Sequence, residues 1–164
     1  HAASVLMYDP HLDLLVFIEQ FRPGAYAAIG CPWYDEDQSP WLIEIVAGII
    51  EAGEDPAEVV RREAIEEAGC EVMELELISH YLVTPGASTE SMFAYCGRVD
   101  ASKVGGFYGL ADEGEDIRVF TMSPGEAFDA LESGRIQNSM TMIPVLWFRQ
   151  NREKIRAKWS RVPG

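Results

Sequence analysis

Twenty-three residues, GIIEAGEDPAEVVRREAIEEAGC over 48–70, constrain this chain more than any other stretch. They spell a loop, a capped helix and a stop. Asp55 supplies a side-chain acceptor at the N-cap, Pro56 suits the first helical position, and Glu58 stands where it would complete a capping box. Gly69 falls where a left-handed C-terminal cap is wanted. Between the caps, Val60, Ala64 and Ala68 recur every four residues. That narrow stripe of small apolar side chains lets the helix lie close to whatever it covers. Beside the stripe, Glu63, Glu66 and Glu67 fall at i, i+3 and i+4, so three carboxylates share one face.

Like charges at that spacing cost a few tenths of a kcal/mol per pair on an open helix, roughly 0.2–0.5. A solvated acidic face, eased by Arg61 and Arg62, is one way to carry them. The other is a hard-cation site, in which oxygen ligands on one rigid helix are completed by loop oxygens. The full spacing decides between them. Gly48, Glu54, Arg62-Glu63, Glu66-Glu67 and Gly69 fill every fixed position of G-x5-E-x7-R-E-U-x-E-E-x-G-U, with Ala64 and Cys70 at the two U positions. The stretch therefore resembles the box of the Nudix hydrolases, and the resemblance implies an α/β/α sandwich with a mixed sheet between helices.

The rest of the composition sets bounds. A chain of 164 residues with 48% hydrophobic content is the size of one domain with a sizeable core, and it is read as a single Nudix domain over 1–164. No apolar run approaches the length of a membrane span, and no signal peptide is visible. Cys31, Cys70 and Cys96 are odd in number and lack zinc-site spacing, so they are expected to be reduced packing residues in a cytoplasmic protein. Net charge is −14, which argues against nucleic acid or an anionic membrane as partner. A phosphorylated small molecule stays open, because a bound divalent ion reverses the sign locally. The chain opens at His1, directly in an apparent strand, so a preceding segment is expected.

Along the chain, 2–8 and 12–20 are apolar runs around the turn Asp9-Pro10-His11 and predict a hairpin. Residues 25–40 predict a loop, and 41–47 (WLIEIVA) one strand running into the box. Strands are expected at 74–84, 91–99 and 117–122, with a glycine- and acid-rich loop over 103–115. Ser123-Pro124-Gly125-Glu126 repeats the helix-start chemistry for a helix to about Ser133, and a last helix spans 139–158. His80 is expected to be a satisfied core histidine, and the four tryptophans core or interface residues.

Three further segments are similar to the bacterial homodimeric ADP-ribose pyrophosphatases: the opening strands through LLVFIEQFRPGAY, LVTPGASTESMFAYCGRVD, and GFYGLADEGEDIRVF. That resemblance implies Mg²⁺-dependent (or Mn²⁺-dependent) hydrolysis of ADP-ribose to AMP and ribose 5-phosphate, by a homodimer. It implies Glu63, Glu67, Glu115 and the carbonyl of Ala47 as metal ligands. Glu113 matches the general base, Glu66 shares the metals or holds a water, and Arg62 organises the loop by pairing with its acids, together with Glu54. Arg22, Glu44 and Glu90 match substrate-binding positions. The alternatives are another nucleoside diphosphate sugar as substrate, or a sensor that binds ADP-ribose without cleaving it. Such a sensor need not keep the metal glutamates, and this chain has them all.

Overall fold

The computed structural model describes residues 1–34, 36–109 and 116–160. Among these residues, eight strands form one mixed sheet: β1 (Ala2–Asp9), β2 (Leu14–Phe21), β3 (Trp41–Glu44), β4 (Val46–Ile49), β5 (Glu74–Leu82), β6 (Ser91–Arg98), β7 (Gly106–Tyr108) and β8 (Ile117–Met122). Their main order is β5-β6-β1-β2-β8-β7, with β3 on β2 and β4 on β1. Four helices accompany them: α1 (Pro23–Ala28), α2 (Pro56–Ala68), α3 (Pro124–Glu132) and α4 (Ser139–Trp159). Helix α2 covers one face of the sheet, while α3 and α4 cover the other. The α/β/α architecture is the one the sequence implies.

Alternation within the strands sorts the core. From β1, Ala3, Val5 and Met7 face α2, whereas Leu6 and Tyr8 face α3 and α4. In β2, Val16 and Ile18 go to the first face, and Leu15 and Phe17 to the second. Strand β1 is buried along all eight residues because it has neighbours on both edges and helices on both faces.

The sheet forks at its centre. Strands β1 and β2 pair directly only from Met7↔Val16 to Asp9↔Leu14. Beyond that, β2 takes β3 as its partner (Ile18↔Glu44 to Phe21↔Trp41), while β1 takes β4 (Ala2↔Ile49 to Val5↔Val46). The single strand expected over 41–47 is thus two short ones, broken after Glu44 so that the chain can pass from one partner to the other. The cavity described below lies in this fork.

Three other local expectations change. Residues 25–40 are not all loop, since Pro23 at the first helical position opens α1. The glycine-rich segment carries the short strand β7, paired with β8. His80 is not in the core. It lies exposed on β5, stacked on Phe93 with ring centroids 3.8 Å apart and with Nε2 3.0 Å from Ser91 Oγ. Cys70 and Cys96 are packing residues as expected, and burial pushes the Cys70 thiol up to about 11, but Cys31 is exposed. Of the tryptophans, Trp159 is fully buried, whereas Trp33 is fully exposed. Among the described residues, no helix is long and apolar enough to cross a membrane.

Candidate active site

Helix α2 is held at both ends and along one side. Asp55 Oδ1 accepts the Ala57 N–H at 2.8 Å, and Pro56 follows at the first helical position. Glu58 does not close a capping box here; its carboxylate lies 3.6 Å from Arg61 instead. At the other end Gly69 adopts φ 62°, a conformation costly for a residue with a Cβ, and the Cys70 N–H reaches back to the Ala64 carbonyl at 2.9 Å. Arg61 donates to the Val72 carbonyl, tying the helix to the segment that leaves it. Val59, Val60, Ala64 and Ala68 are buried against the sheet. Because the stripe is small, the flanking carboxylates come within reach of β4.

Glu67 is 5% exposed, and its Oε2 accepts the Ala47 N–H at 3.3 Å. In an antiparallel strand the N–H and C=O of one residue point to the same edge. An Ala47 N–H turned toward Glu67 therefore goes with a carbonyl turned the same way, away from β1. Next to it, a Cβ on Gly48 would lie 2.1 Å from Glu63 Oε1. Only glycine lets that carboxylate rest against the strand.

Arg62 gathers the acids around the helix start. Its Nη1 lies 2.8 Å from Glu63 Oε1 and 3.1 Å from Glu66 Oε2, and its Nη2 lies 3.8 Å from Glu54 Oε1. Glu54 in turn accepts the Glu51 N–H at 2.8 Å. Burial opposes the charge on Arg62, but the Glu63 and Glu66 carboxylates outweigh it and hold the guanidinium proton above its usual range. The pairing role expected of Arg62 and Glu54 is present.

A cavity of about 400 Å³ opens in the fork of the sheet. It is lined by Gln20 of β2, Arg22 just past the end of that strand, Ala47–Gly48–Ile49 of β4, and Glu63 and Glu67 of α2. Glu44, 4% exposed, stands behind Arg22 and holds it through one oxygen, Oε2, which lies 2.8 Å from Nε and 2.6 Å from Nη2. A guanidinium has five N–H donors, so Arg22 keeps others to offer while its position is fixed.

Of the residues expected from the sequence, Arg22, Ala47, Arg62, Glu63 and Glu67 are brought to one cavity, with Glu44 and Glu66 in contact with its walls. Glu90 is not among its lining residues: it is exposed in the β5–β6 turn, with its N–H donating to Ser88 Oγ at 3.0 Å. Glu113 and Glu115 lie outside the described residues. Among the described residues, no three His, Cys, Asp or Glu side chains stand together as a ready metal site. The donors that do converge are all oxygens, with Glu63 and Glu67 facing a strand whose backbone is open to them, and this fits a hard divalent cation. Gln20 was missed by sequence reasoning. The signal available was its alternation: a polar residue between Ile18 and Arg22, on the α2-facing side of a strand.

Comparison with known proteins gives the family. The NUDIX domain model matches residues 1–142. The ADP-ribose pyrophosphatase of Escherichia coli (strain K12) is 41% identical over 160 residues, 98% of this chain and 73% of the relative. The ADP-ribose pyrophosphatase of Haemophilus influenzae is 35% identical over 161 residues, 98% of this chain and 71% of the relative. A GDP-mannose pyrophosphatase of Escherichia coli (strain SMS-3-5) is 28% identical over 144 residues, covering 87% and 70%. With its box helix capped, its paired acids against β4 and a family match over most of its length, the chain belongs to the Nudix family of hydrolases.

Proposed function

We propose that this protein hydrolyses the pyrophosphate bond of ADP-ribose, releasing AMP and ribose 5-phosphate, with Mg²⁺ as its cation and Mn²⁺ as a substitute. Nudix hydrolases generally use divalent metals. The observation that carries the reading is the cavity in which Arg22 faces Glu63, Glu67 and the Ala47–Gly48 backbone. An anionic diphosphate needs both halves of that arrangement, a fixed guanidinium for its oxygens and an acidic cradle for the cation that neutralises it. The substrate itself is taken from the names of the two most identical relatives cited above.

In this reading Glu63, Glu67 and the Ala47 carbonyl hold the cation, joined by Glu115. When bound, the cation offsets phosphate charge and acidifies a coordinated water. Glu113 takes the proton of the attacking water as a general base. Water attacks phosphorus, the bridging P–O bond breaks, and the leaving phosphate carries off the bond's electron pair. Arg22, braced by Glu44, binds substrate oxygens. Arg62 keeps Glu63 and Glu66 in place, Glu66 standing ready to hold a bound water. Glu90 is assigned to substrate on resemblance alone.

The same reading takes residues 1–164 as one cytoplasmic Nudix domain working as a homodimer. The exposed aromatic group of Phe21, Tyr26 and Trp41, with Phe21 5.9 Å and 5.8 Å from the other two rings, offers apolar surface for that contact. Sedimentation at micromolar concentration should give twice the 18.3 kDa chain mass; a stable monomer removes the dimer from the proposal.

Release of AMP from ADP-ribose with Mg²⁺, and its loss on chelation, is the expected result. The similarity to a GDP-mannose pyrophosphatase favours a second reading, another nucleoside diphosphate sugar as substrate. Turnover of GDP-mannose with none of ADP-ribose would replace the first reading by the second.

A further inference from the structure

Gln20 sits on β2 at the same parity as Ile18 and Arg22, opposite Leu42 of β3 and Ile117 of β8. Two of its neighbours on that face, Ile18 and Ile117, are buried and apolar, and it is only 9% exposed, yet it lines the cavity shared by Ala47, Glu63 and Glu67. Its Oε1 is buried and has no hydrogen-bond partner among the described residues. A buried acceptor left unmatched costs free energy, and in a cavity wall a donor that arrives with a bound ligand can satisfy it.

The choice of donor is narrow. Neither guanidinium of the cavity is bonded to Gln20: Arg22 pairs with Glu44 and Arg62 with Glu63 and Glu66, and Gln20 Oε1 receives no bond among the described residues. The diphosphate of a nucleotide sugar presents only acceptors at its phosphate oxygens. Waters in the shell of a divalent cation are donors, polarised by the charge, and Mg²⁺ keeps several of them because it dehydrates reluctantly. We propose that Gln20 is a positioning residue whose carboxamide oxygen accepts a hydrogen bond from a water bound to the cation held at Glu63 and Glu67. A neutral acceptor suits that place, since it orients the water without adding a fourth negative charge to a crowded acidic wall. The inference rests on the proposed cation site, though not on the identity of the sugar nucleotide.

The test is Mn²⁺ binding to the full chain without substrate, followed by the paramagnetic resonance signal of free Mn²⁺, alongside steady-state kinetics on ADP-ribose. Gln20→Leu removes the acceptor at similar size. Loss of such an outer partner typically lowers metal affinity or activity about 10–100-fold. The expected result is weaker Mn²⁺ binding and lower kcat by that range, with KM within about two-fold of the parent. Gln20→Glu keeps the acceptor and should bind Mn²⁺ at least as tightly as the parent. A parent that binds Mn²⁺ and a folded Gln20→Leu that matches it in affinity and kcat would overturn the proposal while leaving the cation site intact. A Gln20→Glu variant with unchanged Mn²⁺ affinity but a steeply raised KM would overturn it too, because that pattern belongs to a carboxamide donating to phosphate. A parent that binds no Mn²⁺ removes the cation site and this inference together. Should Gln20→Leu fail to fold, the Gln20→Glu affinity decides alone: weaker binding overturns the proposal.

Discussion

The two faces of the sheet are built from different materials. Toward α2 the helix contributes Val59, Val60, Ala64 and Ala68 to the core; toward α3 and α4 the helices contribute Val145, Phe148, Ile155 and Trp159 beside two alanines, Ala127 and Ala130. Small side chains bury less area each, so the first face gains less from the hydrophobic effect per residue. What it gains is proximity. Glu67 reaches the Ala47 N–H and Glu63 rests on Gly48 because the helix residues packed beside them, Ala64 and Ala68, are small. The second face has no such duty and carries the bulk. Chemistry and stability are therefore separable in this molecule, one face to each.

Four substitutions probe that separation, in order of expected effect. Glu67→Gln should lower turnover by on the order of 10³–10⁴-fold, because cation-centred charge stabilisation supplies several kcal/mol of barrier. Its unfolding midpoint in urea should equal or slightly exceed the parent's, since a negative charge leaves the acidic face. Near-normal turnover would remove Glu67 from the cation. Phe148→Ala should do the reverse. Phe148 is fully buried with its ring edge-on to Tyr8 at 4.7 Å, and its truncation should cost about 3–5 kcal/mol in urea unfolding. The folded fraction should keep the parent's Mn²⁺ affinity; a parallel loss of affinity would mean the faces are coupled.

Gly48→Ala tests proximity itself. The added methyl would lie 2.1 Å from Glu63 Oε1, so the carboxylate must swing away. Turnover should fall about 10–100-fold, as for other misplaced outer supports of a metal site, with little change in melting temperature. Parent-like turnover would show that Glu63 does not work from against β4.

The smallest effect is expected on the second face, where Asp13 receives hydrogen bonds from Tyr8 at 2.7 Å and from Arg152, with Arg156 3.3 Å away. Burial raises the Asp13 carboxyl, but the Arg152 and Tyr8 bonds prevail and hold it below its usual value. A depressed carboxyl contributes stability above its ordinary value near 3.8, and that contribution is lost as pH falls through the lower, folded value. Asp13→Asn should thus cost about 1 kcal/mol near neutral pH for this partly exposed group, and the gap to the parent should close below about pH 4. A gap independent of pH would assign the loss to packing.

Features written locally were legible in the sequence. Asp55, Pro56 and Gly69 bound α2, and Ser123 with Glu126 forms the reciprocal cap of α3, because both devices act within four residues. The Nudix resemblance rests on the same short range and brings Glu63, Glu67 and Arg62 with it. Features set by distant partners were not legible. Nothing in WLIEIVAGI marks the change of partner after Glu44, since the run is apolar for either pairing. Glu58 carries the right letter for a capping box but turns to Arg61, a choice between two nearby partners. Helix α1 was not foreseen, because Pro23 with Gly24 beside it reads as a strand break. Gln20 was hidden because a lone polar residue in an apolar strand acquires meaning only once Glu63 and Glu67 are known to face it.

The pairing of β1 sets a timetable for the chain. Its hairpin with β2 spans a few residues and forms early, and β4 joins it once residues 46–49 are available. Its parallel partner β6 begins some ninety residues on, at Met92 opposite Ala2. Contacts closed over such a distance come late, because the loop entropy must be met first. A ribosome emitting the chain from its N-terminus therefore exposes one edge of its most thoroughly buried strand until Arg98 has emerged. Helix α2 is complete well before then, so the cradle of Glu67 on β4 can assemble while the sheet beneath it still awaits half of its strands.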